Sequence, residues 1–389
     1  MSTPTDADRA ELRKLVNAAN ASLRKGYKNK TVGGASGPPR FELYHSAPSL
    51  CSHKVRTTLA EKQASYASHD MMIMPMGKFI PQNYRPDYVR LRLKGAPGVK
   101  FVSGYTGESS VTQQGFDPCV VPTLVDHEAA RVIIDSQAIC EYIATNVTTG
   151  TDLIPAALET DVHAQLELVD RAPHVAALYG AHPDEDRRPP GLRDRITGVH
   201  ARKIRVLETL IEHVGDDPEL RDAYESKIAK EHAAGEFVKT PDEMRAVHEQ
   251  MSAHVHDLEH QLGLSGGPWV LGDAYTLADI VWTLSLWRMK WLGLGINWEG
   301  GKNPSVAAYT RRAFDRPSFR SAVVKWPGSH APSPHVAEHS GAAATRAFTI
   351  DMLRSVHWRQ TLFGDPKFKL PPMKEPEAEA VNQPAAATS

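Results

Sequence analysis

The apolar residues of this chain change their period once, and that change limits what it can fold into. Across residues 41–135 they fall in short runs suited to strands, interrupted by one helical stretch. From 159 to 326 they recur at helical spacing. In the first region, 41–45 (FELYH) reads as a strand and 50–63 as a helix, with Val55 and Leu59 four apart on one face. A strand at 67–74 precedes an irregular stretch at about 75–118. Strands at 120–126 and 131–135 follow, and a helix at 136–144. The order is β, α, β, long segment, β, β, α.

This pattern divides the chain into four parts. Residues 1–40 form an N-terminal extension ending in a Gly/Pro/Ser-rich linker, and look peripheral. Residues 41–150 are the first domain, with the long insertion at about 75–118; a loop of that length is usually functional. Residues 157–328 are all-helical, broken by HPDEDRRPPG and GDDPE, with Ser265-Gly266-Gly267-Pro268 ending one helix. Thr276-Leu277-Ala278-Asp279 is a capping box opening an apolar helix over 280–292. Residues 329–389 are a C-terminal extension with an amphipathic stretch at 348–363 and a Pro/Ala/Glu tail expected to be disordered.

Charge and cysteine usage exclude several functions. The 45 Lys+Arg and 46 Asp+Glu leave a formal charge of -1, so no general electrostatic grip on nucleic acid or an anionic membrane is expected. No run approaches the roughly 18 apolar residues of a membrane helix. The first residues mix acids and bases where a signal peptide needs an apolar core. The three cysteines are too few and too scattered for a disulfide framework. A cytoplasmic, reducing location is the expectation.

Three short motifs carry candidate chemistry. Ser49-Leu50-Cys51-Ser52 lies where a strand hands over to a helix, whose unpaired N–H groups and positive dipole end favour a thiolate. Ser49 reads equally well as a plain N-cap, and Cys51 as a small packing residue. Val121-Pro122 enters a strand. A cis bond there would free the Val121 backbone for a peptide-like ligand, but a strand-opening proline needs no such reason. Asp135-Ser136 starts a helix and suits a carboxylate, while ordinary capping explains it as well.

Together with the capping box, the order and spacing of these motifs resemble the glutathione transferase superfamily over about residues 41–328. The resemblance implies an α+β thioredoxin-like N-terminal domain and an all-α C-terminal domain. It implies glutathione as co-substrate, with Ser49 activating sulfur, Val121 and Pro122 presenting backbone to the cysteinyl part, and Asp135 and Ser136 holding the γ-glutamyl end. Ser-x-Cys-Ser is similar to the zeta-type and reductive-dehalogenase branch, as are Tyr84-Arg85-Pro86-Asp87-Tyr88 and Gly115-Phe116-Asp117-Pro118. That branch implies removal of chloride from a chlorinated hydroquinone, a small aromatic substrate. Ser49 and Cys51 would be catalytic, with a glutathionyl conjugate, a mixed disulfide on Cys51 and oxidised glutathione as product. A homodimer and no metal are further implications.

Other readings compete. Aryl-ether cleavage or plain conjugation would share the glutathione site without needing Cys51, and cis–trans isomerisation would use the same serine and cysteine. A transferase-like domain that only docks proteins is the non-enzymatic alternative, disfavoured by Ser49, Pro122 and Ser136 occurring together. His256 and His260 stand one helical turn apart, with His254 nearby, and read as a solvated helix face rather than a metal pair. The tryptophans over 282–298 read as helical-domain core. Cys119 and Cys140 read as packing residues.

Overall fold

The computed structural model describes residues 4–23, 30–34, 37–75, 80–108 and 114–339. Its five-stranded sheet has the order β1-β3-β2-β4-β5. Strand β2 (Phe41–His45) runs parallel to β3 (Tyr66–Asp70) and antiparallel to β4 (Thr123–Asp126), which pairs antiparallel with β5 (Arg131–Ile134). Strand β1 (Lys30–Val32) closes the other edge, antiparallel to β3.

Alternation along the strands decides what covers each face. Phe41 and Leu43 of β2 and Leu124 of β4 pack with Val55 and Leu59 of α2 (Leu50–Glu61), and with Ile139 and Ile143 of the helix that opens at Ser136. Tyr44 and Val125 point the other way, into a cluster with Leu12, Val16, Ala19 and Leu23. Those four belong to, or directly follow, α1 (Asp6–Ser22). The N-terminal extension that looked peripheral therefore supplies a core helix. Its signals are a capping box, with the Asp8 N–H donating to Thr5 Oγ1 at 3.2 Å, and apolar residues at spacings of three and four.

The long segment between β3 and β4 is not structureless. It contains a 3-10 turn, Gln82–Tyr84, and helix α3 (Pro86–Leu93), with Pro86 in the first turn where its missing N–H is harmless. Tyr88 and Leu91 of α3 join the α1 cluster, and Tyr84, Val89 and Leu93 join a second one. Helix α4 (Ser136–Asn146) completes the first domain. This is the expected α+β thioredoxin-like layout, enlarged by α1, β1 and α3.

An all-helical region follows, from α5 (Glu159–Asp170), α6 (His174–Tyr179) and α7 (Pro190–Ile196) to α8 (Val199–Val214) and α9 (Pro218–Phe237). Helices α10 (Pro241–Ser265), α11 (Leu277–Trp291) and α12 (Pro304–Asp315) complete it. All of α11 except Lys290 is buried, as a helix apolar on every side must be. Its capping box forms: Asp279 Oδ2 accepts from the Thr276 N–H at 2.9 Å, and Oδ1 from the Val270 N–H at 2.9 Å. Trp282 and Trp298 are core residues, as expected, whereas Trp287 and Trp291, also buried, border a cavity.

The two regions are joined by specific contacts. Glu61 of α2 accepts from Arg316 Nη2 and Thr151 Oγ1, both at 2.8 Å. Val206, Leu207, Leu220 and Tyr224 of the α8–α9 pair pack on Ile80, Val89 and Phe116 of the insertion. The start of the C-terminal extension is also built in: Ser329 and Val336 are buried, and Trp291 Nε1 donates to the Ala331 carbonyl at 2.9 Å. The amphipathic stretch at 348–363 and the tail lie outside the described residues. Among the described residues no helix is long and apolar enough to cross a membrane.

Candidate active site

A cavity of about 660 Å³, with largely apolar walls, lies where the C-terminal ends of β2 and β3 meet the helical region. All six residues singled out in the sequence line it: Ser49, Cys51, Val121, Pro122, Asp135 and Ser136.

Ser49 is the N-cap of α2, and its Oγ accepts from the Ser52 N–H at 3.3 Å. Because the oxygen accepts that bond, the hydroxyl proton stays available to a ligand. Ser52 itself is turned inward, its Oγ accepting from the Ser46 N–H at 3.1 Å. Cys51, in the first turn, is a free, half-buried thiol. The capping and catalytic readings of Ser49 are thus compatible in one geometry.

The Val121–Pro122 peptide bond is cis. Arg92 of α3 holds this corner, donating to the Pro122 carbonyl at 2.6 Å and to Thr123 Oγ1 at 2.9 Å. Asp135 caps α4 with φ 68°, a conformation uncommon for a residue with a side chain. Its carboxylate accepts from the Gln137 N–H at 2.8 Å and the Ala138 N–H at 3.2 Å. Burial raises its pKa, helped by the nearby charge of Asp170. Ser136 follows it, buried beside the cavity.

Further residues line the wall, among them Lys54 and His53, whose closeness to Cys51 the sequence order already implied, and Arg288 and His174, which it did not. Lys54 is 6% exposed on α2, one turn after Cys51 and on the same wall. That spacing was visible in the sequence. Arg288 of α11 is 8% exposed and donates from Nη2 to the Pro48 carbonyl at 2.7 Å. Its guanidinium lies over the Trp291 ring, 5.2 Å from the ring centroid. In sequence it reads only as a basic residue in a helix's last turn. His174 bonds Ser285 Oγ through Nε2 at 2.9 Å, and His53 bonds Ser329 Oγ at 2.9 Å. Burial drives the pKa of both imidazoles well down, and neighbouring cations add to the effect. His330, from the C-terminal extension, is pushed down to about 4 by burial and by Arg288.

Further along the wall is a buried ionic network. Asp117 pairs with Lys227 at 2.7 Å and Lys230 at 3.0 Å, and Glu231 pairs with Lys203 at 3.1 Å and His200 at 2.7 Å. These cations hold both carboxylates below their usual range despite burial.

The remaining sequence candidates fall outside the chemistry. Cys119 touches the cavity wall, but burial and Asp117 raise its thiol far above the ordinary range. Cys140 is pushed up to about 12 by burial. His256 and His260 are exposed on α10, while His254 is buried and stacked on Trp282 at 4.1 Å. Among the described residues no group of three His, Cys, Asp or Glu side chains is arranged for a metal ion.

A family model described as glutathione S-transferase, N-terminal domain, matches residues 48–146. The chain is 47% identical over 305 residues to the 2,5-dichlorohydroquinone reductive dechlorinase of Sphingobium indicum, covering 78% of this chain and 87% of that one. It is 26% identical over 295 residues to the tetrachloro-p-hydroquinone reductive dehalogenase of Sphingobium chlorophenolicum, covering 75% and 99%. Among solved structures, a beta-etherase from a Sphingobium species aligns at 17% identity and a TM-score of 0.49, covering 73% of this chain and 98% of the other.

Proposed function

The chain belongs to the glutathione transferase superfamily as an enzyme of that family, and from this premise we propose that it reductively dechlorinates a chlorinated hydroquinone at the expense of glutathione. One observation carries the reading: a free thiol, Cys51, stands on the cavity wall two residues after the capping Ser49, in a chain 47% identical to a 2,5-dichlorohydroquinone reductive dechlorinase. Conjugation alone would give that thiol no task.

Glutathione enters as co-substrate. The cis Val121–Pro122 corner offers backbone to its cysteinyl part, and Asp135 with Ser136 its acid–hydroxyl pair to the γ-glutamyl end. Ser49 donates a hydrogen bond from its hydroxyl to the glutathione thiolate, which displaces chloride from the ring in its keto form. Cys51 thiolate then attacks the sulfur of the resulting conjugate. The carbon–sulfur bond of the conjugate's keto tautomer breaks, its electron pair restores the aromatic ring as a phenolate that then takes up a proton, and Cys51 is left in a mixed disulfide. A second glutathione thiolate attacks that disulfide and restores Cys51. Two glutathiones are oxidised to one disulfide, one chloride leaves and one hydrogen replaces it. A homodimer and a cytoplasmic location belong to the same reading, checked by sedimentation and by fractionation.

The test is a product assay with 2,5-dichlorohydroquinone and excess glutathione, following chloride, chlorohydroquinone and oxidised glutathione together. One oxidised glutathione per chloride supports the proposal. Chloride with a stable adduct means conjugation, and no chloride sends the search to ethers and dienoates.

A further inference from the structure

Arg288 carries a buried charge that no carboxylate in the described protein neutralises. Its guanidinium donates to the neutral Pro48 carbonyl, and the ionisable groups that raise its pKa are Cys51 and Tyr179. The groups facing it from other elements are His53 of α2, His174 of α6 and His330 after α12. All three imidazoles are held neutral by burial, with Arg288 adding to it. Burying a cation this deeply is unfavourable without an anion. Arginine stays charged even so, its pKa lowered only to about 10. One guanidinium nitrogen is committed to Pro48 and the group lies over the Trp291 ring, 5.2 Å from its centroid, two contacts that restrict where its remaining donors point.

We propose that Arg288 forms an anion subsite in the second-substrate part of this cavity, and that its ligand is the oxygen of an ionised phenol. The proposal rests on the dechlorinase reading and names what that reading leaves open. The neighbouring wall supplies Met71, Met74, Val175 and Leu178, apolar and soft surfaces suited to a halogenated ring. A ring between them needs one polar anchor. The chemistry supplies the anion: when Cys51 takes sulfur from the saturated carbon of the conjugate's keto tautomer, the bonding pair becomes a ring double bond and the carbonyl oxygen takes the charge. The leaving species is a phenolate, which takes its proton from water afterwards. A fixed guanidinium stabilises that oxygen more in the transition state than in the neutral ketone.

The test needs no turnover. Full-length protein is saturated with S-methylglutathione, which fills the peptide site without a thiolate. It is then titrated with 4-nitrophenol, whose neutral and ionised forms absorb at different wavelengths. The wild type is expected to bind the phenolate at least about tenfold more tightly than the phenol, lowering the apparent pKa of the bound probe by about one unit. Arg288→Met and Arg288→Gln are expected to abolish that preference while keeping affinity for the neutral phenol, and Arg288→Lys to restore part of it. Either neutral variant serves if the other fails to fold. A neutral variant with the wild-type preference, or a wild type with none, overturns the proposal. So does a variant whose phenolate binding is intact while alkylation of Cys51 by iodoacetamide slows, because the charge then serves only the protein's own thiol. Chloride release is scored separately. A wild type that prefers phenolate but releases no chloride keeps the subsite and sinks the dechlorinase reading; the reverse result does the opposite.

Discussion

Asp117 and Lys227 meet at 2.7 Å, each about 5% exposed, one from the long segment before β4 and the other from α9. The pair pins the enlarged first domain to the helical hairpin that packs over it. Lys230 bonds the same carboxylate oxygen at 3.0 Å, and the Cys119 N–H bonds the other at 2.9 Å.

Removing the acid alone takes the partner carboxylate from Lys230 and leaves Lys227 with Glu231, 3.0 Å away. Asp117→Asn is expected to destabilise the protein by about 3–5 kcal/mol, whereas the double variant Asp117→Leu with Lys230→Met, which keeps Lys227 on Glu231, costs much less. Urea denaturation of the wild type and both variants measures this. Similar losses for the single and double variants would mean that the pair contributes through packing.

In the proposed reaction, Cys51→Ser separates the two thiol steps. Chloride release is expected to continue, while release of dechlorinated ring falls by about a hundredfold or more and a glutathionyl hydroquinone accumulates. Mass spectrometry of the quenched reaction reads the outcome. Undiminished chlorohydroquinone from the variant would remove Cys51 from the reaction.

Acid is expected to loosen the fold through its buried histidines. His53, His174, His254 and His330 all have folded-state pKa values below the ordinary 6.5, with His254 down to about 3 and His330 to about 4, chiefly through burial. Below pH 6.5 the unfolded chain binds protons that the folded chain refuses. The stability these groups allow is therefore complete above that pH and is lost as pH falls. The loss is on the order of 1 kcal/mol per histidine for each pH unit. Urea midpoints at pH 7, 6 and 5 should decline steadily; a flat profile would show that the imidazoles reach water.

Asp279 closes the start of the central helix by accepting the Thr276 and Val270 N–H groups. Asp279→Ala leaves both donors buried and unpaired, at a cost of about 2–4 kcal/mol. Asp279→Asn should recover part of it. A melting temperature unchanged from the wild type would mean the donors find other partners.

The parts of the site legible in sequence are those whose local geometry and chemistry coincide. Ser49, Pro122 and Ser136 each sit at an element's end, where backbone groups are open and residue choice is narrow. Arg288 and His174 were not legible, because their place on the cavity depends on how α11 and α6 rotate against α2. An arginine in a helix's last turn has an adequate local explanation, and only packing removes it. The burial of α1, not its helicity, was missed for a different reason: the face it covers, Tyr44 and Val125, lies far along the chain.

The wall formed by Gly328 to Ala331 closes a cavity whose thiol lies nearly three hundred residues earlier. A ribosome making this chain at its usual 5–20 residues per second delivers Cys51 on the order of 14–56 seconds before His330. Through that interval the nascent protein carries the Cys51 thiol, and by the end its sheet and most of its helices, without a finished chamber. The order of synthesis thus postpones a complete pocket until nearly all of the described fold has been made, so partial products hold the thiol but not the enclosure around it.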